Sequence, residues 1–145
     1  MRVVVDTNIV FSAILNTNSK IARILLQPRT RLNFYATDQL LIEIEEHKEK
    51  ILKISGYSHL ELEKIIKLIT NRIRFINGSL IPNEIYHKAE RLTMDVDIDD
   101  TEFVALAEHS KAKLWSGDKE LIKGLAKKNW LKFISTEELF NHISQ

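Results

Sequence analysis

The sequence predicts an α/β fold: a three-layer sandwich in which a central, mostly parallel sheet of four to five short strands is flanked by helices. Three features of the 145 residues carry that expectation. Short β-branched or apolar runs alternate with longer stretches at helical periodicity, which implies βαβ units and a sheet covered on both faces. Gly and Pro are scarce, at 4 and 2, as in a helix-rich chain. Acids also fall at element ends, at Asp6, Asp97, Asp99, Asp100 and Asp118. Carboxyl ends of parallel strands gather at one sheet edge, so acids distant in sequence meet there.

The elements follow in order. Residues 2–5, Arg-Val-Val-Val, read as a short buried strand ended by Asp6. Residues 8–15 and 19–27 read as helices, with Ser19 capping the second and Pro28 following it. A brief strand is expected over 33–36. From 38 to 54, Leu40, Leu41, Ile44, Ile51 and Leu52 form one stripe at 3.6 periodicity, predicting a single long helix. Ser58 and Glu61 have the spacing of a capping box, opening a helix that runs to about residue 72. Residues 74–76 read as a third strand, followed by the turn signal Asn77-Gly78. Helices are expected over 83–92, 99–110 and 118–127, and strands over 113–115 and 131–134. Ser135 and Glu138 again have capping-box spacing before a short terminal helix.

Composition excludes several classes of function. Length allows one domain over the whole chain with a sizeable core. Apolar residues make up 44% and charged residues 28%, which argues against disorder. No apolar run approaches the roughly 20 residues that cross a bilayer, so no membrane association is expected and the expected compartment is the cytoplasm. The absence of Cys removes disulfides, thiolate zinc sites and thiol nucleophiles. Net charge is +1 and the isoelectric point about 8.0, unlike a strongly basic nucleic-acid binder. Any phosphate track must come from local clusters, either Lys123, Lys127, Lys128 and Lys132 or Arg23, Arg29 and Arg31. The plain alternative for both is a solvated face. The five His lack zinc-like spacing, and Trp115 is expected in the core, with Trp130, Phe133 and Phe140 anchoring the terminal helix.

The acids carry the chemistry. Asp6 follows a strand expected at the sheet centre, where a helix N-cap and a ligand position explain it equally. Asp99 and Glu102 have the spacing of a capping pair. Asp100 shares a helical face with Phe103, Val104 and Ala107, pointing coreward, where a carboxylate is costly unless it meets a cation or donors. Asp97 reads as a loop acid or an auxiliary ligand. Asp118 follows Ser116-Gly117 and starts a helix. Capping explains Asp118 taken alone, but not why two strand ends and one inward-facing helix start all present acids, and that combination favours a shared site for a hard divalent metal. On the 38–54 helix, Glu43 lies at one edge of the apolar stripe, near His47, and Glu45 at the other, so periodicity does not choose between them.

These residues resemble the PIN-domain family of metal-dependent ribonucleases. The resemblance rests on Asp6-Thr7-Asn8 after the first strand, residues 37–43 opening the long helix, residues 97–107, and Ser116-Gly117-Asp118-Lys119-Glu120-Leu121 after a late strand. Within the family the chain is most similar to the prokaryotic branch of toxin components of toxin–antitoxin pairs. The resemblance implies that Asp6, Glu43, Asp100 and Asp118 form a metal-holding quartet, and it favours Glu43 over Glu45. It implies that Asn8 and Ser116 orient the acids, beside Asp97 as an auxiliary. Ser116 stands where Thr is commoner, Glu120 where Asp is frequent and Ile98 where Pro is frequent in this branch, and residues 54–94 match least.

The implied activity is hydrolysis of RNA phosphodiester bonds by one or two Mg²⁺ or Mn²⁺ ions, leaving a 5′-phosphate and a 3′-hydroxyl with no side-chain nucleophile. Arg23, Arg29, Lys119 and Lys123 are candidates for contacts to single-stranded RNA. A small antitoxin protein and a second copy of the chain are the other partners that the resemblance implies. Rival readings are a housekeeping RNA-processing nuclease, and a PIN-like module of little activity that binds RNA or protein. A phosphatase is disfavoured by Asn8, which stands where an Asp-x-Asp motif needs its second acid. A phosphoacceptor domain requires phosphorylation of a single Asp.

Overall fold

In the computed structural model, which describes residues 1–27 and 31–144, one parallel sheet runs through the molecule. Its strands are β1 (Arg2–Val5), β2 (Asn33–Thr37), β3 (Ile73–Ile76), β4 (Lys113–Trp115) and β5 (Phe133–Ile134), in the order β3-β2-β1-β4-β5. Val3, Val4 and Val5 are each 0% exposed, as a continuous apolar run must be in a strand covered on both faces. Their alternation divides the core. Val3 and Val5 join the cluster built with α1 (Thr7–Leu15), α2 (Lys20–Leu26), α5 (His59–Thr70) and α9 (Thr136–Ile143). Val4 joins the cluster of α6 (Asn83–Thr93), α7 (Thr101–Ser110) and α8 (Lys119–Ala126) on the other face.

The chain winds outward from β1 to β2 and β3, then returns past β1 to place β4 and β5 on its other side. The direction of winding therefore reverses between β1 and β4. In open parallel sheets the crevice at such a reversal, beyond the strands' carboxyl ends, is where ligands bind. Asp6 and Ser116 are the first residues past those two ends.

Several expected elements differ in detail. The single helix expected over 38–54 is two, α3 (Asp38–Glu46) and α4 (Lys48–Ser55), broken at His47 with φ −104° and ψ 6°. Leu40, Ile44 and Ile51 are buried on either side, so the buried stripe runs through the break without marking it, whereas Leu41, expected on that stripe, is exposed. Gly56, at φ 75°, ends α4 in the left-handed conformation that glycine adopts without strain. Both capping boxes form, at Ser58 with Glu61 and at Ser135 with Glu138. Asn77-Gly78 opens a short 3₁₀ turn over Gly78–Leu80. Asp99 is not the cap of the helix expected at 99. A 3₁₀ turn, Ile98–Asp100, leads into α7, and Asp97 caps that turn by accepting the Asp99 N–H at 3.1 Å. The tighter turn consumes two residues and moves the helix start past Asp99.

Trp115 is fully buried, with its Nε1–H donating to Thr136 Oγ1 at 3.0 Å. Trp130 and Phe133 do not anchor the terminal helix. They meet edge to face at 5.0 Å in the Val4 cluster, where Trp130 Nε1–H donates to Glu108, and of the three only Phe140, on α9 itself, packs against the opposite cluster that α9 helps to build. Among the described residues no single helix is long and apolar enough to cross a membrane.

Candidate metal centre

Asp6 is carried to the crevice by β1 and held there twice. Its Oδ1 accepts the Ile9 N–H at 2.9 Å, capping α1, and its carboxylate lies in contact with the Ser116 hydroxyl. Only 4% of it is exposed. Burial raises its proton affinity above the usual carboxylate range against the pull of those two donors, and the charges of Asp118 and Glu43 push the same way as burial. The cap and ligand readings are therefore not exclusive, since Asp6 caps α1 and also lines the crevice cavity.

Asp118 repeats the design. Its Oδ1 accepts the Glu120 and Leu121 N–H groups, both at 3.1 Å, capping α8, while its own N–H donates to Ser116 Oγ at 3.1 Å. Ser116, nearly buried between them, thus links the Asp6 carboxylate to the Asp118 backbone. Asp100 stands at the start of α7 without using its side chain as a cap. Asp97, Asp100 and Asp118 each place a carboxylate oxygen within 4.8 Å of the others.

Such crowding has a cost, and Asp100 bears it. Its carboxyl is pushed up to about 7, first by burial, then by the charges of Asp97, Asp6 and Asp118, and by a hydrogen bond with Asp97 that needs a proton. Without a cation these acids do not all ionise together at neutral pH. The donor set is oxygen only, which suits Mg²⁺ or Mn²⁺ and not softer metals.

Glu43 enters from α3. With Asp6, Asn8, Asp97 and Asp100 it lines a cavity of about 220 Å³, and its charge reaches Asp6, yet it lies outside the tight trio. Gln39 Nε2 donates to its Oε1 at 3.4 Å. Glu45 instead pairs with Lys48 at 2.8 Å and faces solvent. The structure thus brings Asp6, Asp100, Asp118 and Asp97 together, with Glu43 at the rim and Asn8 on the wall.

Some polar groups at the crevice escaped the sequence reading. The hydroxyls of Thr7 and Thr37 are buried without a hydrogen-bond partner, next to Asp6 and at the end of β2. His47 and Phe11 line the acidic cavity with their rings 5.3 Å apart, and His47 Nδ1 lies 2.8 Å from the Glu43 carbonyl. The spacing from Glu43 to His47, one helical turn, is the only signal that pointed to the latter.

The basic candidates are dispersed. Arg23 lies over the Phe140 ring at 5.4 Å, on the α2–α9 side. Arg29 lies outside the described residues. Lys119 and Lys123 are exposed on α8, the helix that Asp118 caps. Lys128 is paired with Asp95 and Lys132 with Glu108, which accounts for half of that cluster as structural ion pairs. A further cavity of about 340 Å³ lies beside the amino ends of β2 and β3, at the sheet edge opposite the acids, and has no carboxylate in its lining.

A family model for the PIN domain matches residues 4–140. Among solved structures, one chain from the crystal structure of VapBC2 from Rickettsia felis bound to a DNA fragment from their promoter superposes with a TM-score of 0.67. It is 16% identical, and the alignment covers 93% of this chain and 97% of that one, so the likeness is one of fold. No curated protein matches the sequence.

Proposed function

The chain belongs to the PIN-domain family, and on that premise we propose that it is a metal-dependent endoribonuclease acting at the crevice between β1 and β4. One observation carries the reading: three carboxylates converge within 4.8 Å beside a fourth, buried one, at the cost of pushing Asp100 up to about 7. A protein gains nothing in stability from that arrangement unless a cation joins it.

We assign Asp6, Glu43, Asp100 and Asp118 to holding one or two Mg²⁺ or Mn²⁺ ions, with Asp97 as a further carboxylate of the same cluster. The ion, when bound, supplies Lewis acidity to water and to a substrate phosphate. The chain's own residues supply position. Ile9 N–H and Ser116 hold Asp6, and the amides of Glu120 and Leu121 hold Asp118, so these acids are oriented before any ligand arrives. Hydrolysis joins a water oxygen to phosphorus and breaks the bond from phosphorus to O3′, leaving a 5′-phosphate and a 3′-hydroxyl. No side chain is consumed. Single strands or loops suit a crevice at a sheet edge, because unpaired bases splay away from the backbone. Lys119 and Lys123, on the helix that Asp118 caps, are the candidates for phosphate contacts.

The test is RNA cleavage by the wild type, Asp6→Asn and Asp100→Asn, each with Mn²⁺ and with chelator. Cleavage by the wild type with Mn²⁺ alone is expected, and equal cleavage in every arm refutes the proposal. Absence of cleavage throughout favours a module that only binds RNA or protein.

We further propose that the protein is the toxin of a toxin–antitoxin pair in the cytoplasm. The sequence resemblance to that branch supports this reading, as does the shared fold with a chain of the VapBC2 assembly. Growth arrest on expression, relieved by a small protein encoded beside it, is the expected outcome. Neither arrest nor such a neighbour favours housekeeping RNA processing.

A further inference from the structure

A second cavity, of about 520 Å³, opens beside the acids and shares Glu43, His47 and Asp99 with the first. The two adjoin across those shared side chains. Its size falls within the roughly 300–1,000 Å³ of small-molecule sites. One wall is α3, offering Gln39 and Glu46, and the other is built from Tyr86 on α6, Ile98 on the 3₁₀ turn and Glu102 on α7.

The lining chemistry decides what enters. The cavity presents four carboxylates and no Lys or Arg, so it repels phosphate. A strand whose phosphate sits at the acids must therefore turn a base, not its backbone, into this space. Two aromatic side chains line it, Tyr86 and His47, the latter already packed against Phe11, and every base has a π-face to stack on such a ring. Its hydrogen-bonding groups include an acceptor on α7, Glu102, and an amide on α3, Gln39, whose Nε2 also donates to Glu43. Glu102 Oε1 and the Tyr86 hydroxyl sit together at one end, each 3.0 Å from where a Cβ on Gly78 would lie. No cation among the described residues bridges to Glu102.

A carboxylate accepts two parallel N–H donors well. Guanine offers such a pair, N1–H beside N2–H, with O6 next to them for an amide donor. Adenine and cytosine set a lone pair next to their amino group, and uracil sets its one N–H between two carbonyls. We infer that this cavity is a base-recognition subsite for an unpaired guanine beside the phosphate held at the acids, read by Glu102 and stacked on Tyr86. The inference rests on the nuclease reading, which places that phosphate.

Binding tests it apart from turnover. The full chain is titrated, with Ca²⁺ in place of Mn²⁺, into fluorescein-labelled single-stranded RNAs that are all uridine except for one central guanosine, adenosine or cytidine, and into the all-uridine strand. Anisotropy is expected to rank the guanosine strand first, by about 5- to 150-fold as for one good bidentate base contact. Glu102→Gln, which keeps the side chain's shape, is expected to erase that advantage, and Tyr86→Ala to weaken binding of all four strands. Equal affinity for the four, binding of none, or a guanosine preference that survives Glu102→Gln overturns the inference. Guanosine-selective binding without Mn²⁺-dependent cleavage sinks the nuclease reading alone, whereas cleavage without selective binding sinks the subsite alone.

Discussion

Replacing Asp100 with Asn makes the metal-free protein more stable at alkaline pH, because it removes the carboxylate that its neighbours least tolerate. The Asp100 carboxyl rises from 3.8 to about 7 on folding. A shift of roughly three units corresponds to about 4 kcal/mol at 1.36 kcal/mol per unit. Asp100 is only half-buried, so solvent screening reduces this to about 1–2 kcal/mol. Its side chain makes no capping bond, so Asn forfeits only the favourable helix-dipole contact of about 0.3–1 kcal/mol. The net gain is about 1 kcal/mol, or about 3 °C in Tm for a domain of this size. The sign follows from proton counting. Between about pH 4 and pH 7 the folded state keeps a proton that the unfolded state has released, so wild-type stability falls as pH rises through that window. Asp100→Asn lacks the Asp100 share of this slope and keeps that of Asp6, whose carboxyl is also raised by burial. Thermal unfolding followed by circular dichroism in chelator should show the variant ahead at about pH 8 and the gap closed at about pH 4. Adding Mn²⁺ should reverse the order, since a ligand stabilises the state that binds it. A wild type at least as stable as the variant at pH 8 in chelator, or a gap independent of pH, refutes the argument.

Ser116→Ala unties Asp6 from the Asp118 backbone, so RNA cleavage with Mn²⁺ should fall about 10- to 100-fold, as for other groups that orient metal ligands. Urea unfolding should register a loss of only about 1 kcal/mol. Gly124→Ala puts a Cβ at 2.7 and 2.9 Å from the Val96 methyls, and this overpacking, about 1–3 kcal/mol, should outweigh the helix-propensity gain of about 1 kcal/mol. Val96→Ala in the same chain should restore the midpoint. Trp130→Phe removes the 2.6 Å hydrogen bond to Glu108, whose carboxyl is held below its ordinary range, against the effect of burial, by Lys132, that indole and Lys88. A loss of about 1–2 kcal/mol by urea titration is expected, and no change would show that the two lysines suffice.

Much of this molecule was legible in its sequence. Val3-Val4-Val5 could only be a strand covered on both faces, and all five strands appear where short apolar runs stand between helical stretches. Ser19, Ser58 and Ser135 cap their helices as local spacing required, because a cap depends on atoms within four residues. The break at His47 and the 3₁₀ entry before α7 were not legible. Both leave the buried apolar positions in helical register, so the pattern looks the same with or without them. That second miss assigned the cap to Asp99, when the turn uses Asp97. The lysine cluster misled in another way, since the acids that neutralise Lys128 and Lys132 lie more than twenty residues away.

Sequence by itself determined the fold class, the strands and which acids stand at element ends, because those follow from short-range periodicity and backbone hydrogen bonding. Only the tertiary structure decided which of those acids meet. The reversal of winding between β1 and β4 sets Asp6 against Asp118, the 3₁₀ turn before α7 brings Asp97 and Asp100 into the same crevice, and Glu43 is left at its rim. Proton affinity follows from that meeting, since burial and like charge at a few ångströms, not residue type, push Asp100 up to about 7.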